Sequence, residues 1–266
     1  MSVVEAARNN AEWCEAVCRT HGIAGTFGSR AWTSPVRTPL YYPDAVTLSP
    51  DATAGDVLDA VDQGPGASVK DSFATLDLRP AGFEVLFEAQ WIHRPAPHRK
   101  ATDGRTERRP GQETGRGLVE VVVWEVVRDP ATLAAWERAC FSGEDPGEPR
   151  DEGPGEDPGE SHDEGPGEDR GLFRPGLLIR PGLAVLAGRL GGELVCGSVL
   201  NLSGRVAGVS NVFAHGCAED TAWAGTVALA AELFPGRALV GYEGDVTAAV
   251  RQGFAPIGPL RVWLKA

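Results

Sequence analysis

Cysteine and histidine are the residues of this chain best suited to metal or thiol chemistry, and in two places they lie close together in sequence. Cys14 and Cys18, four apart, share one face of a helix, with His21 one turn further on. A structural zinc site needs four ligands as a rule, and no second pair lies near in sequence. The pattern therefore reads as a core-facing helix beside Trp13, with no metal. Cys217, in the stretch His215-Gly-Cys-Ala-Glu-Asp220, has nucleophile chemistry, but spacing assigns it neither a base nor an acid. A third cluster runs from Thr26 to Val46, where Phe27, Arg30, Trp32, Arg37, Tyr41 and Tyr42 crowd a proline-punctuated loop. Such density suits a pocket wall or an interface, and equally a cover over exposed sheet.

The background against which these residues sit is that of a folded protein. Of 266 residues, 42% are hydrophobic and 23% charged. No apolar run reaches the roughly 20 residues a transmembrane helix requires. The opening MSVVEAARNNAEW lacks an apolar signal core, so a cytoplasmic protein with reduced cysteines is expected. The net charge of −12 is local. Residues 142–170 hold twelve acids against Arg150 and Arg170, which leaves −2 for the remainder. A near-neutral body offers no concentrated basic surface for nucleic acid. Within that segment EDPGEPRDEGPG is followed by EDPGESHDEGPG, an internal repeat without one large apolar side chain, and it is expected to be a disordered insertion. Residues 95–116 read as a polar, basic linker.

Three ordered stretches remain. In the last, Leu183–Leu190 and Glu193–Leu200 flank Gly191-Gly192, whose positive φ angles fit a two-residue hairpin. Val206–Phe213 extends this to a three-strand meander. A helix over 221–234 follows, with Asp220 as its cap and Pro235-Gly236 as its stop. Ala238–Tyr242 is a strand, which makes strand, helix, strand a right-handed parallel crossover. A short helix begins at Asp245, and Leu260–Leu264 closes the chain as a strand. Upstream, Leu118–Val126 has the β-branched density of a buried strand, and Asp129-Pro130 starts a helix with Leu133, Trp136 and Cys140 on one face. In the first stretch Thr53 and Asp56 begin a helix, and Phe83–Ile92 alternates, with Phe83, Val85, Phe87, Ala89 and Trp91 expected on one side. The fold class is α/β with a mixed sheet.

This element order, with the ending AAVRQGFAPIGPLRVWL, resembles the GNAT superfamily, the acetyl-CoA-dependent N-acetyltransferases. The resemblance covers residues 117–266, with the acidic insertion at 142–170 interrupting it. Residues 1–94 resemble a truncated copy of the same unit, because DSFATLDLRPAGFEVLFEAQW repeats the order of helix-like stretch, Gly-Phe turn and Trp-bearing strand.

The resemblance implies acetyl-CoA as cosubstrate and a primary amine, on a small molecule or a peptide, as acceptor. It implies that the strand before the crossover helix grips the cofactor's extended arm through Val209, Ser210, Asn211, Val212 and Phe213, with Val209, Asn211 and Phe213 on one side. The pyrophosphate is then expected at the helix N-terminus, around His215, Gly216 and Thr221. Here the chain departs from the family. Where the family's loop has Gln or Arg, two residues, Gly, one residue, then Gly or Ala, this one reads HGCAEDTAW, with Glu219 and Asp220 where phosphates would approach. The family's usual Glu on the strand before the helix is replaced by Gly208 and Ser210. Its Tyr before the last Gly-Phe turn is replaced by Ala249. By position Tyr242, Glu243, Glu120 and Glu125 are the nearest proton-handling substitutes, with Tyr242, Glu125 and Glu120 the catalytic candidates. Loss of the usual groups also fits a catalytically inactive ligand-binding or interaction module of the same fold. The sequence leaves the oligomeric state open.

Overall fold

The computed structural model describes residues 2–97, 121–142 and 171–266. The expected linker and acidic insertion fall almost wholly outside these residues, as does Glu120. The N-terminal half runs α1 (Val3–Thr20), β1 (Thr26–Phe27), β2 (Ala31–Thr33), β3 (Ala45–Thr47), α2 (Ala54–Leu58), β4 (Ser68–Asp71) and β5 (Phe83–Arg94). The C-terminal half runs β6 (Val123–Val126), α3 (Pro130–Phe141), β7 (Leu183–Leu190), β8 (Glu193–Ser203), β9 (Val206–Ala214), α4 (Glu219–Leu233), β10 (Ala238–Glu243), α5 (Thr247–Arg251) and β11 (Ala255–Lys265).

These elements begin where local chemistry satisfies free backbone amides. Ser2 and Glu5 form a capping box on α1. Asp129 accepts from Thr132 N at 2.9 Å, with Pro130 in the first turn of α3. One expectation fails: α4 begins at Glu219 with Ala218 as N-cap, and Asp220 lies inside its first turn. The Asp220 carboxylate instead takes both contacts of Arg251 Nε, at 2.7 and 3.0 Å. Of the strand expected over Leu118–Val126, residues 118–120 lie outside the described residues, and β6 runs Val123–Val126.

All strands join one sheet in the order β1-β2-β3-β4-β11-β5-β10-β9-β8-β7-β6. Neighbours are antiparallel except β3/β4 and β9/β10, each of which spans a helical crossover. The last strand of each half lies beyond its own half. β11 pairs with β4 and β5, and β5 pairs with β11 and β10. Helices α1 and α3 cover one face, where Trp13, Cys14 and Cys18 meet Trp136 and Phe173 in one cluster. Helices α4 and α5 cover the other face of the C-terminal half around Trp223 and Phe254. Among the described residues no helix is long and apolar enough to cross a membrane.

The alternation expected along β5 breaks at a bulge. Val85 sits opposite Trp263 and Phe87 opposite Val262, so Leu86 is left over. Phe83 consequently packs with α2 and Trp263, while Ala89 and Trp91 pack beneath α1. Val85 and Phe87 stay substantially exposed.

Candidate active site

The site is built where two parallel strands part. β9 and β10 pair at Val206–Ala238, Ala207–Leu239 and Gly208–Val240, and no residue of β9 beyond Gly208 has a partner in β10. Gly241 marks the parting: a Cβ there would lie 2.7 Å from the Val209 carbonyl oxygen. On its other side β9 carries a bulge, in which Val199 faces Ser210 and Gly197 faces Phe213. Asn211, in that bulge, has φ of 52°, a left-handed conformation that Asn tolerates better than most residues.

The bulge overturns the expectation that Val209, Asn211 and Phe213 share a side. Val209 and Val212 face the α4 cluster, whereas Phe213 turns to the α1/α3 face against Trp136, ring centroids 5.3 Å apart. One extra residue switches the alternation. Beyond it a cavity of about 180 Å³ opens, walled by Val212 and Phe213 of β9, Ala222 and Trp223 of α4, and Glu243 and Asp245 at the end of β10. Glu219 also lines it.

Glu243 is the chemically distinctive group here. Burial, reinforced by the Glu219 and Asp245 carboxylates, pushes its carboxyl up to about 8. Asp245 is itself held low by accepting from Thr247. Tyr242 is adjacent in sequence but on the opposite face. Its hydroxyl accepts from Lys70 Nζ at 3.1 Å, and its ring packs edge-on against Trp91. Lys70 Nζ also donates to Asn10 Oδ1 at 2.9 Å, deep beneath α1. Glu125 lies on β6, three strands from β9, and binds Arg189 at 2.7 Å. Tyr242 and Glu125 are thus not brought together, Glu120 lies outside the described residues, and among the described substitutes Glu243 alone lines the cavity. Its signal in the sequence was its place two residues past Gly241 on the α4 side of β10.

The loop residues are disposed around the same end. His215 N donates to the Val195 carbonyl at 2.6 Å, and its ring lies 5.5 Å from that of Phe213. Gly216 takes φ of 84°, and Thr221 N donates to Ala218 O inside the first turn of α4. Cys217 Sγ points at the Val195 carbonyl, 3.8 Å away, in a cluster with Cys196, whose thiol burial pushes up to about 12. Neither His215 nor a carboxylate activates it among the bonds of the described residues. At the other candidate cluster, burial raises the Cys14 thiol and pushes Cys18 up to about 12, so both remain protonated core side chains. His21 Nε2 meets the Leu172 carbonyl at 2.8 Å.

The N-terminal half has its own parallel pair, β3 and β4, and there the gap is filled. Pairing ends at Val46–Lys70, after which Thr47 Oγ1 accepts from Ser72 N at 2.7 Å and Asp71 accepts from Leu76 N at 2.7 Å. All three side chains at this junction, Thr47, Asp71 and Ser72, are fully buried.

No family model matches the sequence, and no curated protein matches it. Among solved structures, a GCN5-related N-acetyltransferase from Kribbella flavida superposes over 98% of this chain and 95% of its own, with TM-score 0.53 and 12% identity. The fold is the GNAT fold. A protein assigned to the GNAT family from Novosphingobium aromaticivorans DSM 12444 covers 98% of this chain and 99% of its own, at TM-score 0.46 and 15% identity. In GNAT terms β9 is the strand before the crossover helix, α4 that helix, and β10 the strand that splays away. The Kribbella match extends over nearly the whole chain, so the N-terminal half lies inside the shared architecture.

Proposed function

We propose that the protein is a cytoplasmic acetyl-CoA-dependent N-acetyltransferase that acts on a primary amine by direct transfer. The observation that carries this reading is the parting of β9 from β10 after Gly208, with the Glu243 carboxyl inside the cavity it leaves. The unpaired β10-facing edge of β9, Val209 to Phe213, suits an extended amide-bearing arm, because its N–H and C=O groups lack strand partners on that side. Acetyl-CoA supplies an acyl group activated as a thioester. Glu243 is the base: in its ionised form it takes a proton from the acceptor's ammonium and so frees the lone pair. With the carboxyl pushed up to about 8, the competent form accumulates as pH rises toward that value. His215, Gly216 and Thr221 flank the N-terminus of α4, where the pyrophosphate would rest.

A second reading, an inactive module of the same fold, is favoured by one feature. Glu219 and Asp245 stand at the cavity beside that N-terminus, and like charges repel a pyrophosphate. Calorimetry with acetyl-CoA, followed by thiol release with a panel of primary amines, separates the two. The transferase reading expects binding and turnover, with Glu243→Gln lowering kcat about 100-fold or more while acetyl-CoA still binds. Absence of binding at about 1 mM acetyl-CoA (a ΔG° near −4 kcal/mol) leaves only the second reading.

A further inference from the structure

A second cavity, of about 640 Å³, opens at the C-terminal end of α3, within the size range of small-molecule sites. Pro39, Leu40 and Tyr41 form one wall, Phe141 and Leu172 the other, and Arg174 completes the lining. The wall is apolar and open to solvent: Leu40 is 69% exposed. The Tyr41 ring stacks on Phe141, centroids 4.9 Å apart and planes 6° from parallel. That contact is held by a backbone φ of 69° at Tyr41, a conformation costly for a bulky residue.

Among the described residues, the polar side chains lining this cavity are engaged, with one exception. Both Glu137 carboxylate oxygens accept backbone amides, from Leu172 at 2.8 Å and Phe173 at 2.7 Å. His21 Nε2 is engaged with the Leu172 carbonyl. Arg174 remains: it lines the cavity, and among the described residues it makes no ion pair. A guanidinium is always charged, carries five donors in a planar fork, and matches a carboxylate with two parallel bonds.

We infer that this cavity binds a small aromatic carboxylate, its ring against Leu40 and the Tyr41–Phe141 pair and its carboxylate on Arg174. The site is separate from the β9/β10 cavity, because Phe173 and Trp136 stand between Phe141 and Phe213, in ring contact at 6.0, 5.4 and 5.3 Å. It does not depend on acetyl transfer.

Calorimetry on the full chain with 1-naphthoate tests it, with 1-naphthalenemethanol as the uncharged analogue. Naphthoate is expected to bind with Kd below about 1 mM, and the alcohol at least about tenfold more weakly. Arg174→Met is expected to weaken naphthoate about tenfold and to leave the alcohol unchanged. Leu40→Asp, at an exposed position where folding is not at risk, is expected to weaken both. No heat from naphthoate at about 5 mM, equal affinity for acid and alcohol, or indifference to both substitutions overturns the assignment.

Discussion

Glu243 and Tyr242 show how much one position along a strand decides. Both are polar residues at the end of β10, yet Tyr242 is locked to Lys70 under α1 while Glu243 faces the α4 side, where two further carboxylates oppose its ionisation. Its carboxyl is raised in the folded protein, from 4.5 to about 8. The unfolded chain therefore loses this proton first as pH rises. Stability contributed by protonated Glu243 is complete below about 4.5 and is lost progressively up to about 8. Glu243→Gln cannot ionise, so its melting temperature should match wild type near pH 4.5 and exceed it by roughly 5 °C or more at pH 8.5. Calorimetric scans across that range check this, and a constant difference between the two proteins would place the carboxyl in water. Little of this was legible in the sequence. Residue type marked Glu243 as a candidate, but only the divergence of two strands supplies the burial, and Glu219 comes from another segment.

The elements themselves were far more readable than the site. The apolar runs on either side of Gly191-Gly192 announced the hairpin of the meander, and Pro235-Gly236 announced the end of α4. What could not be read was irregularity. In VAGVSNVFA strict alternation and a bulge fit equally well, because Asn takes a left-handed backbone at small cost and leaves no mark on the hydrophobic pattern. Likewise nothing in FEVLFEAQW distinguishes Leu86 as the residue without an opposite number. The bulge at Asn211 is what sends Phe213 to Trp136 and leaves Val212 on the cavity wall. A β-branched residue cannot sit there without strain, so Asn211→Val should cost about 1–3 kcal/mol in urea unfolding, and Asn211→Gly about 0.5 kcal/mol or less. Equal stability of the two variants would mean that the positive φ is not required.

At the scale of the whole molecule, the exchange of final strands makes the two halves one folding unit. β11 carries Trp263 into the core that α2, Val69 and Phe83 build, and β5 stands between β10 and β11. Helix α1, from the N-terminal half, lies over the C-terminal strands, where Asn9 and Asn201 exchange bonds with each other's backbone carbonyls at 3.0 and 3.1 Å. No local pattern foretells this, since strand order in a sheet is set by which surfaces remain to be covered. Removing either half leaves the other with an unpaired edge strand and an uncovered apolar face, both unfavourable in water. Residues 1–97 and 121–266, produced separately, should each lack near-ultraviolet circular dichroism and a cooperative melt. Mixed at equal concentration they should form a one-to-one complex that restores both. The strand exchange is also what fixes the β10 side of the cavity, because β5 pairs β10 as far as Glu243, opposite Gln90. If 121–266 alone melts cooperatively at the temperature of the intact chain, β5 and α1 are accessories to the C-terminal half and the cavity is held by that half alone.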